Sequence, residues 1–211
     1  MELTKDKNTE DKIKEIAKKI FAQKGFAATT IRDIALEAGV NVALLNYYFR
    51  SKENLFNIIF VDSFVLVFEK EQQILEDKEL ALFEKINLFI ANKIAFLKDN
   101  PALPLFVLSE MREATAIDQL KKRGFDEAFF QNKVFEQQLK KAIHKNKIRE
   151  ISVQELKIYI ISLIVFPFLA KDMIINMSKL AKSEASFSFE NYIATHQKRV
   201  QETVYLYLKN I

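Results

Sequence analysis

The 211-residue sequence contains no cysteine and only three glycines and three prolines. Without cysteine the chain can form no disulfide, thiolate nucleophile or cysteine-bound zinc site, and nothing indicates an oxidising compartment. Glycine and proline mark turns, so their scarcity excludes a protein of many short strands and predicts long helices. No two glycines lie close enough to form a dinucleotide-binding or phosphate-binding loop. We therefore expect an all-α fold.

Groups suited to catalysis or metal binding are also scarce. The two histidines, His144 and His196, are too far apart in the sequence to bind a metal from one helix, and no pairing of an acid with a base suggests an active site. The N-terminal residues alternate in charge and lack the apolar stretch of a signal or transit peptide. We predict a cytoplasmic protein that is not an enzyme and that needs no metal or cofactor.

Long apolar runs are missing as well. The most apolar segment, residues 158–170, has 13 residues, which is too short to cross the roughly 30 Å of a bilayer core. We expect a buried or interface helix here and no membrane partner, and a membrane-associated regulator is the alternative. Hydrophobic residues nevertheless make up 49% of the chain, enough for a sizeable core.

Basic residues exceed acidic residues only at the start of the chain. Residues 1–52 carry 10 lysines and arginines against 7 aspartates and glutamates, whereas the rest of the chain carries 22 against 21. The excess agrees with an N-terminal module that contacts phosphates. The alternative is an ordinary solvated helix face.

Apolar residues at helical spacing predict two helices before residue 40. The first helix ends at Gly25, and its apolar stripe consists of Ile13, Ile16, Ala17, Ile20 and Phe21. The second, shorter helix follows the N-cap Thr30, has Asp33 as capping partner and ends at Gly39. Its apolar face consists of Ile31, Ile34, Ala35 and Ala38.

A third helix follows the turn at Gly39. A tight turn between helices requires a left-handed backbone at its first position, which glycine adopts without strain. Asn41 is a good N-cap for a helix over residues 42–49, on which Leu45 and Phe49 face inward against the first two helices.

The remaining sequence predicts one connecting helix and five or so others. Ser51 caps a fourth helix that runs from Lys52 to about Leu75 and enters a second domain. The further helices, which bring the total to about nine, are expected at 79–98, 102–115, 117–146, 152–180 and 188–209.

A short helix, a glycine turn and a second short helix, placed after a longer helix, form the three-helix unit whose last helix enters the major groove of DNA. The run from Gly25 to Phe56 is GFAATTIRDIALEAGVNVALLNYYFRSKENLF. It resembles the signature of the tetracycline-repressor (TetR) family in its glycine-aromatic start, its Thr-Thr and Ala-Gly-Val, its aromatic-rich helix ending in phenylalanine, and its Ser-Lys followed by leucine. With the first helix, the resemblance covers some 50 residues.

The resemblance implies a bacterial DNA-binding transcriptional regulator with two domains. A helix-turn-helix domain would occupy residues 1–52, and a helical ligand-binding and dimerisation domain residues 53–211. Such a protein is a repressor that a small-molecule effector releases from DNA, and it binds a palindromic operator as a homodimer. The alternative is a dimeric helical interaction or scaffold protein that senses no ligand.

The resemblance also implies DNA contacts for particular residues. Those that contact the DNA backbone, or hold the helices on it, are Thr29, Thr30, Arg32, Asn41, Tyr47, Tyr48 and Lys52. The exposed side chains expected to read bases are Val42, Ala43 and Asn46. Arg32 can also reach a base edge. Asn46 can bind adenine through two hydrogen bonds, and the alternative is a contact to phosphate or solvent only.

The second domain is rich in phenylalanine, of which the chain has 19. Aromatic residues at helical spacing are usually core, and an aromatic-lined cavity would suit an apolar or amphipathic effector. Two C-terminal helices carry more apolar positions than one monomer needs, which predicts a four-helix dimer interface. These positions are Leu156, Ile160, Leu163, Val165, Val200, Val204 and Leu208.

Overall fold

The computed structural model describes residues 2–101, 104, 131–180 and 187–209. In this part of the chain the regular elements are nine α-helices and no strands, which confirms the predicted all-α fold. The helices are α1 Glu2–Ala28, α2 Ile31–Ala38, α3 Val42–Phe49, α4 Lys52–Glu76, α5 Leu82–Asp99, α6 Lys133–His144, α7 Val153–Leu169, α8 Lys171–Leu180 and α9 Phe189–Leu208. Apart from residue 104, the predicted helix 102–115 and the first part of the predicted helix 117–146 lie outside the described residues.

The described residues form two compact units. The first contains residues 2–66 with 100, 101 and 104, and the second contains residues 67–99, 131–180 and 187–209. Helix α4 begins in the first unit and ends in the second. The predicted domain division after residue 52 stays a prediction.

In the first unit, α2 packs against both α1 and α3. Ile34 and Ala38 of α2 are fully buried, as are Leu45 and Phe49 of α3, so the inward face predicted for the third helix is confirmed. Helix α1 is interrupted at Gly25, whose φ of 78° and ψ of 163° are not helical. This backbone region is essentially restricted to glycine, and the break falls where the sequence predicted the helix end.

The turn between α2 and α3 depends on Gly39. Its φ of 65° and ψ of 34° are left-handed. The Gly39 amide donates to the Leu36 carbonyl at 3.1 Å, and the Val40 amide donates to the Ala35 carbonyl at 3.0 Å. These two bonds satisfy carbonyls at the helix end in the Schellman pattern and fix the direction in which α3 leaves the turn.

In the second unit, α5 packs against α6, α7 and α9, and α7 packs against α9. The shared core contains the fully or almost fully buried side chains Ile90, Ile94, Leu139, Leu156, Ile160, Ile164, Val200, Val204 and Leu208. Five of the positions predicted to form a dimer interface, Leu156, Ile160, Val200, Val204 and Leu208, are therefore core residues of one chain. That assignment is wrong, because side chains with this burial have no surface left for a partner.

The prediction of a single helix over residues 152–180 is also wrong. This segment forms two helices, α7 and α8, which meet at Ala170 with a bend of 61°. Pro167 lies in the last turn of α7 and has no amide hydrogen to donate to the Leu163 carbonyl. The His196 imidazole of α9 bonds that carbonyl instead, with Nε2 at 3.0 Å from the oxygen.

Within the described ranges, no single helix has both the length and the apolar composition to cross a membrane. The bent pair of α7 and α8 meets those two criteria only when its helices are taken together.

Candidate nucleic-acid interface

Helix α3 exposes one continuous face. Val42 is 37% exposed and Tyr47 is 76% exposed, and Ala43 and Asn46 are also exposed. These four residues lie on the side opposite the buried core of the unit. The face therefore presents two small side chains, one amide and one phenol.

The N-terminus of α3 is fixed by Asn41. Its side-chain Oδ1 accepts a hydrogen bond from the Leu44 amide at 2.7 Å, which is the N-cap contact expected from the sequence. Because the cap uses this oxygen, the main role of Asn41 is to fix the orientation of α3.

The N-terminus of α2 has a complete capping box. The Thr30 hydroxyl accepts from the Asp33 amide at 3.1 Å, and the Thr30 amide donates to the Asp33 carboxylate at 2.9 Å. The Thr30 hydroxyl also donates to this carboxylate at 2.8 Å. The bonds donated by the Thr30 amide and hydroxyl hold the pKa of the Asp33 carboxyl below its ordinary value, and Lys24, 3.5 Å away, acts in the same direction. The box confirms the predicted cap. Arg32, in the first turn, is exposed.

Thr29 lies inside the unit. Its side chain is 1% exposed, and its hydroxyl donates to the Gly25 carbonyl at 2.7 Å. The hydroxyl thus stabilises the break after α1 and does not face solvent, which argues against the phosphate contact that the resemblance implied for it.

Lys52 forms contacts within the unit. Its Nζ donates to the carbonyls of Phe26 and Thr29, both at 3.0 Å, and lies 4.3 Å from the centre of the Phe26 ring. The ammonium thereby ties the start of α4 to the segment between α1 and α2. This places Lys52 as a structural residue, since two of its three donors bond these carbonyls.

The two neighbouring tyrosines differ in exposure. Tyr47 is largely exposed, whereas Tyr48 is half-buried. Their rings meet edge to face, with centroids 5.4 Å apart, and the Tyr48 ring also lies 6.0 Å from that of Phe49. Tyr48 therefore supports the position of the exposed Tyr47 ring.

Arg50, for which the sequence pattern predicted no role, ends α3 in a strained conformation. Its φ is 62° and its ψ is −45°, and the Ser51 amide bonds the Phe49 carbonyl across it at 2.6 Å. This is a γ-turn, which is rare for a residue with a side chain. The turn places an exposed cation directly after the exposed face of α3. A single sequence gives no local signal for it.

Comparison with known proteins shows which family this unit resembles. Residues 13–59 match the family model described as "Bacterial regulatory proteins, tetR family". The match covers residues 13–59 only, so it shows that the N-terminal domain is similar to the DNA-binding domains of tetR-family proteins.

The curated relatives share mainly that domain with this chain. It is 52% identical over 48 residues to the "Probable HTH-type transcriptional regulator YttP" of Bacillus subtilis, a match that covers 23% of each chain. It is 35% identical over 82 residues to the "HTH-type transcriptional repressor KstR2" of Mycolicibacterium smegmatis, which covers 39% of this chain and 40% of that one. The matches thus span less than half the length of either relative.

Solved structures extend the likeness to the fold beyond this domain. HlyIIR, a hemolysin II transcriptional regulator, gives a TM-score of 0.61 at 22% identity, with 98% of this chain and 99% of that chain covered. A TetR/AcrR-family regulator from Thermobifida fusca gives 0.60 at 14% identity, with 92% and 97% covered. At these identities the likeness establishes the fold alone.

Proposed function

We propose that the chain is a sequence-specific DNA-binding transcriptional regulator, with α3 as its recognition helix. The observation that carries this proposal is the exposed face of α3, formed by Val42, Ala43, Asn46 and Tyr47. An N-cap fixes the start of α3, and a second N-cap fixes the start of the neighbouring α2. None of these side chains is acidic, and an amide paired with small residues suits the donor and acceptor pattern of the major groove.

Positive charge lies on both sides of this face. Arg32 on α2 and Arg50 after α3 are exposed, and such cations bind phosphates and set the register of the helix on the duplex. Thr30 lies at the N-terminus of α2, where the positive end of the helix dipole favours an anion such as phosphate. Base reading therefore falls to α3 and positioning to its neighbours.

Selection from a random-sequence duplex library tests this function. The full chain is expected to enrich one motif whose affinity is at least about a thousandfold above that of random DNA. Enrichment of no motif, with equal affinity for all sequences, would contradict sequence-specific binding. A scaffold protein would bind neither the enriched motif nor random DNA.

The regulator acts as a homodimer, but through a different surface from the one the sequence suggested. Exposed apolar residues follow one side of α7 and continue onto α8: Ile158, Ile161, Phe166, Leu169, Met173, Met177 and Leu180. Helix α7 is thus apolar on both its buried and its exposed sides, a pattern typical of a helix that is covered all round. We name this surface the apolar face, and its occupant is a second copy of the chain.

Two copies impose symmetry on the operator. Dimers of this kind bind half-sites about 34 Å apart, or a multiple of that distance, so the selected motif should be palindromic. Operator release by a small molecule belongs to the same proposal, because α4 starts beside the DNA-binding helices in the sequence and ends in the second unit.

A further inference from the structure

A cleft in the second unit lies between α6 and the start of α7. Its volume is 410 Å³, within the range of small-molecule sites. Leu139 and Ile151 form an apolar floor, as both are almost fully buried and line the cleft. Polar side chains form the rim, so the cleft suits a molecule that is apolar at one end only.

The charged residues that line this cleft are unbalanced. Among the described residues they are Lys133, Lys140, Lys157 and one acid, Glu136. The Glu136 carboxylate forms a salt bridge with Lys140, one helical turn away on α6, with Oε1 2.6 Å from Nζ. Lys133 and Lys157 therefore give the cleft a net positive charge.

Lys157 joins the cleft to a buried polar cluster. Its Nζ donates to Asn132 Oδ1, and Asn132 Nδ2 donates in turn to Gln72 Oε1 on α4. Asn132 is 5% exposed. A chain of hydrogen bonds thus runs from the cleft to the last turns of α4.

The buried cluster has more positive than negative charge. Glu71 is 4% exposed and pairs with Lys93, whose Nζ is 2.8 Å from Oε1. Burial lowers the pKa of the Lys157 ammonium; Glu71 opposes this effect and Lys93 adds to it. Among the described residues, one carboxylate, Glu71, thus faces two ammonium groups, those of Lys93 and the half-buried Lys157. A charge that is partly removed from water is unfavourable without a counter-ion, and an anion in the cleft would supply one.

We propose that this cleft binds a small organic anion, a carboxylate or phosphate on a short apolar body, with Lys157 and Lys133 as its charge partners. The apolar body lies on Leu139 and Ile151. The anion takes up donors of Lys157 and so weakens its bond to Asn132. Because that bond leads to Gln72 on α4, the anion is also the effector; this part rests on the proposed function.

Isothermal titration of the full chain with hexanoate, hexyl phosphate and 1-hexanol tests the site. At least one of the two anions should bind saturably, and the comparison between them identifies the headgroup. 1-Hexanol, which has the same apolar body without charge, should bind at least about tenfold more weakly.

Two variants test the charge partners. Lys157→Gln should weaken anion binding at least about tenfold. Lys133→Glu should do the same without unfolding, because Lys133 is exposed and an acid in the first turn of a helix is favourable. Lys98→Gln removes an exposed lysine elsewhere in the unit and should have no effect.

Three results would overturn the site: no saturable anion binding, equal binding of 1-hexanol, or unchanged binding in both Lys157→Gln and Lys133→Glu. The same samples are titrated with selected DNA, with and without anion. Anion binding that leaves DNA affinity unchanged contradicts the effector role. DNA binding without anion binding contradicts this inference alone, and anion binding by a chain that selects no DNA contradicts the proposed function alone.

Discussion

Lys52 and Asn46 lie six positions apart in the sequence, but their side chains have different surroundings. The Lys52 ammonium bonds two carbonyls that are 23 and 26 residues away, whereas Asn46 is exposed on α3. The caps Thr30, Asn41 and Ser51 were predictable because their partners are three residues away. The partners of Lys52 were not, because nothing local specifies them.

Lys52→Met should therefore act on stability. The variant leaves two carbonyls without their charged donor and removes the contact with the Phe26 ring, so the free energy of unfolding should fall by about 1–3 kcal/mol. Urea unfolding measures this, with Lys19→Met, an exposed lysine on α1, as the control. Unchanged stability together with a shallower salt dependence of DNA binding would show that Lys52 is mainly a phosphate contact.

At the scale of helices, local signals gave the bounds of α2 and α3, since caps and the turn at Gly39 are encoded nearby. The division of the predicted helix 152–180 depends on a distant residue. Pro167 frees the Leu163 carbonyl, and His196, 33 residues from Leu163, bonds it. The sequence shows the proline, but it does not show that a distant imidazole bonds the carbonyl that the proline leaves free.

The bond between His196 and α7 predicts a pH dependence. Burial lowers the pKa of the His196 imidazole, with Arg199 acting in the same direction and the bond to Leu163 opposing it. Below about pH 6.5 the unfolded chain takes up a proton that the folded chain resists. The stability conferred by neutral His196 is therefore present at higher pH and lost as pH falls through that region.

Thermal unfolding from pH 8 to pH 5.5 compares the wild type with His196→Gln. The glutamine amide can donate to the Leu163 carbonyl but does not titrate in this range. As pH falls, the melting temperature of the wild type should decrease more than that of the variant. Parallel curves would assign the loss to other groups.

At the scale of the whole molecule, the sequence predicted dimerisation but assigned it to core positions. Apolar periodicity shows that α7 and α9 have apolar faces, yet it cannot tell which face packs inside the chain. The structure separates the buried Leu156 and Ile160 from the exposed Ile158 and Phe166 on the same helix. The cleft was missed for a similar reason, as its lysines come from segments that are distant in the sequence.

Charge on the apolar face should separate the two copies. Phe166→Glu and Met177→Glu place carboxylates in a buried interface, so sedimentation equilibrium should show a dimer for the wild type and monomers for both variants. Leu36→Glu, at an apolar residue of α2 that is 83% exposed, should remain dimeric. A monomeric wild type would exclude the dimer, and its binding to lipid vesicles would then favour a membrane as occupant of the apolar face.

The exposed face of α3 is tested most directly by adding one charge to it. Asn46→Asp keeps the shape of the side chain but sets a carboxylate against the bases and phosphates. Asn87→Asp makes the same change at an exposed position on α5. Titrating both variants with the selected DNA should give at least about tenfold weaker binding for Asn46→Asp, equivalent to losing a base contact of about 1–3 kcal/mol, and wild-type binding for Asn87→Asp. Equal affinities for the wild type and both variants would mean that α3 does not face the DNA.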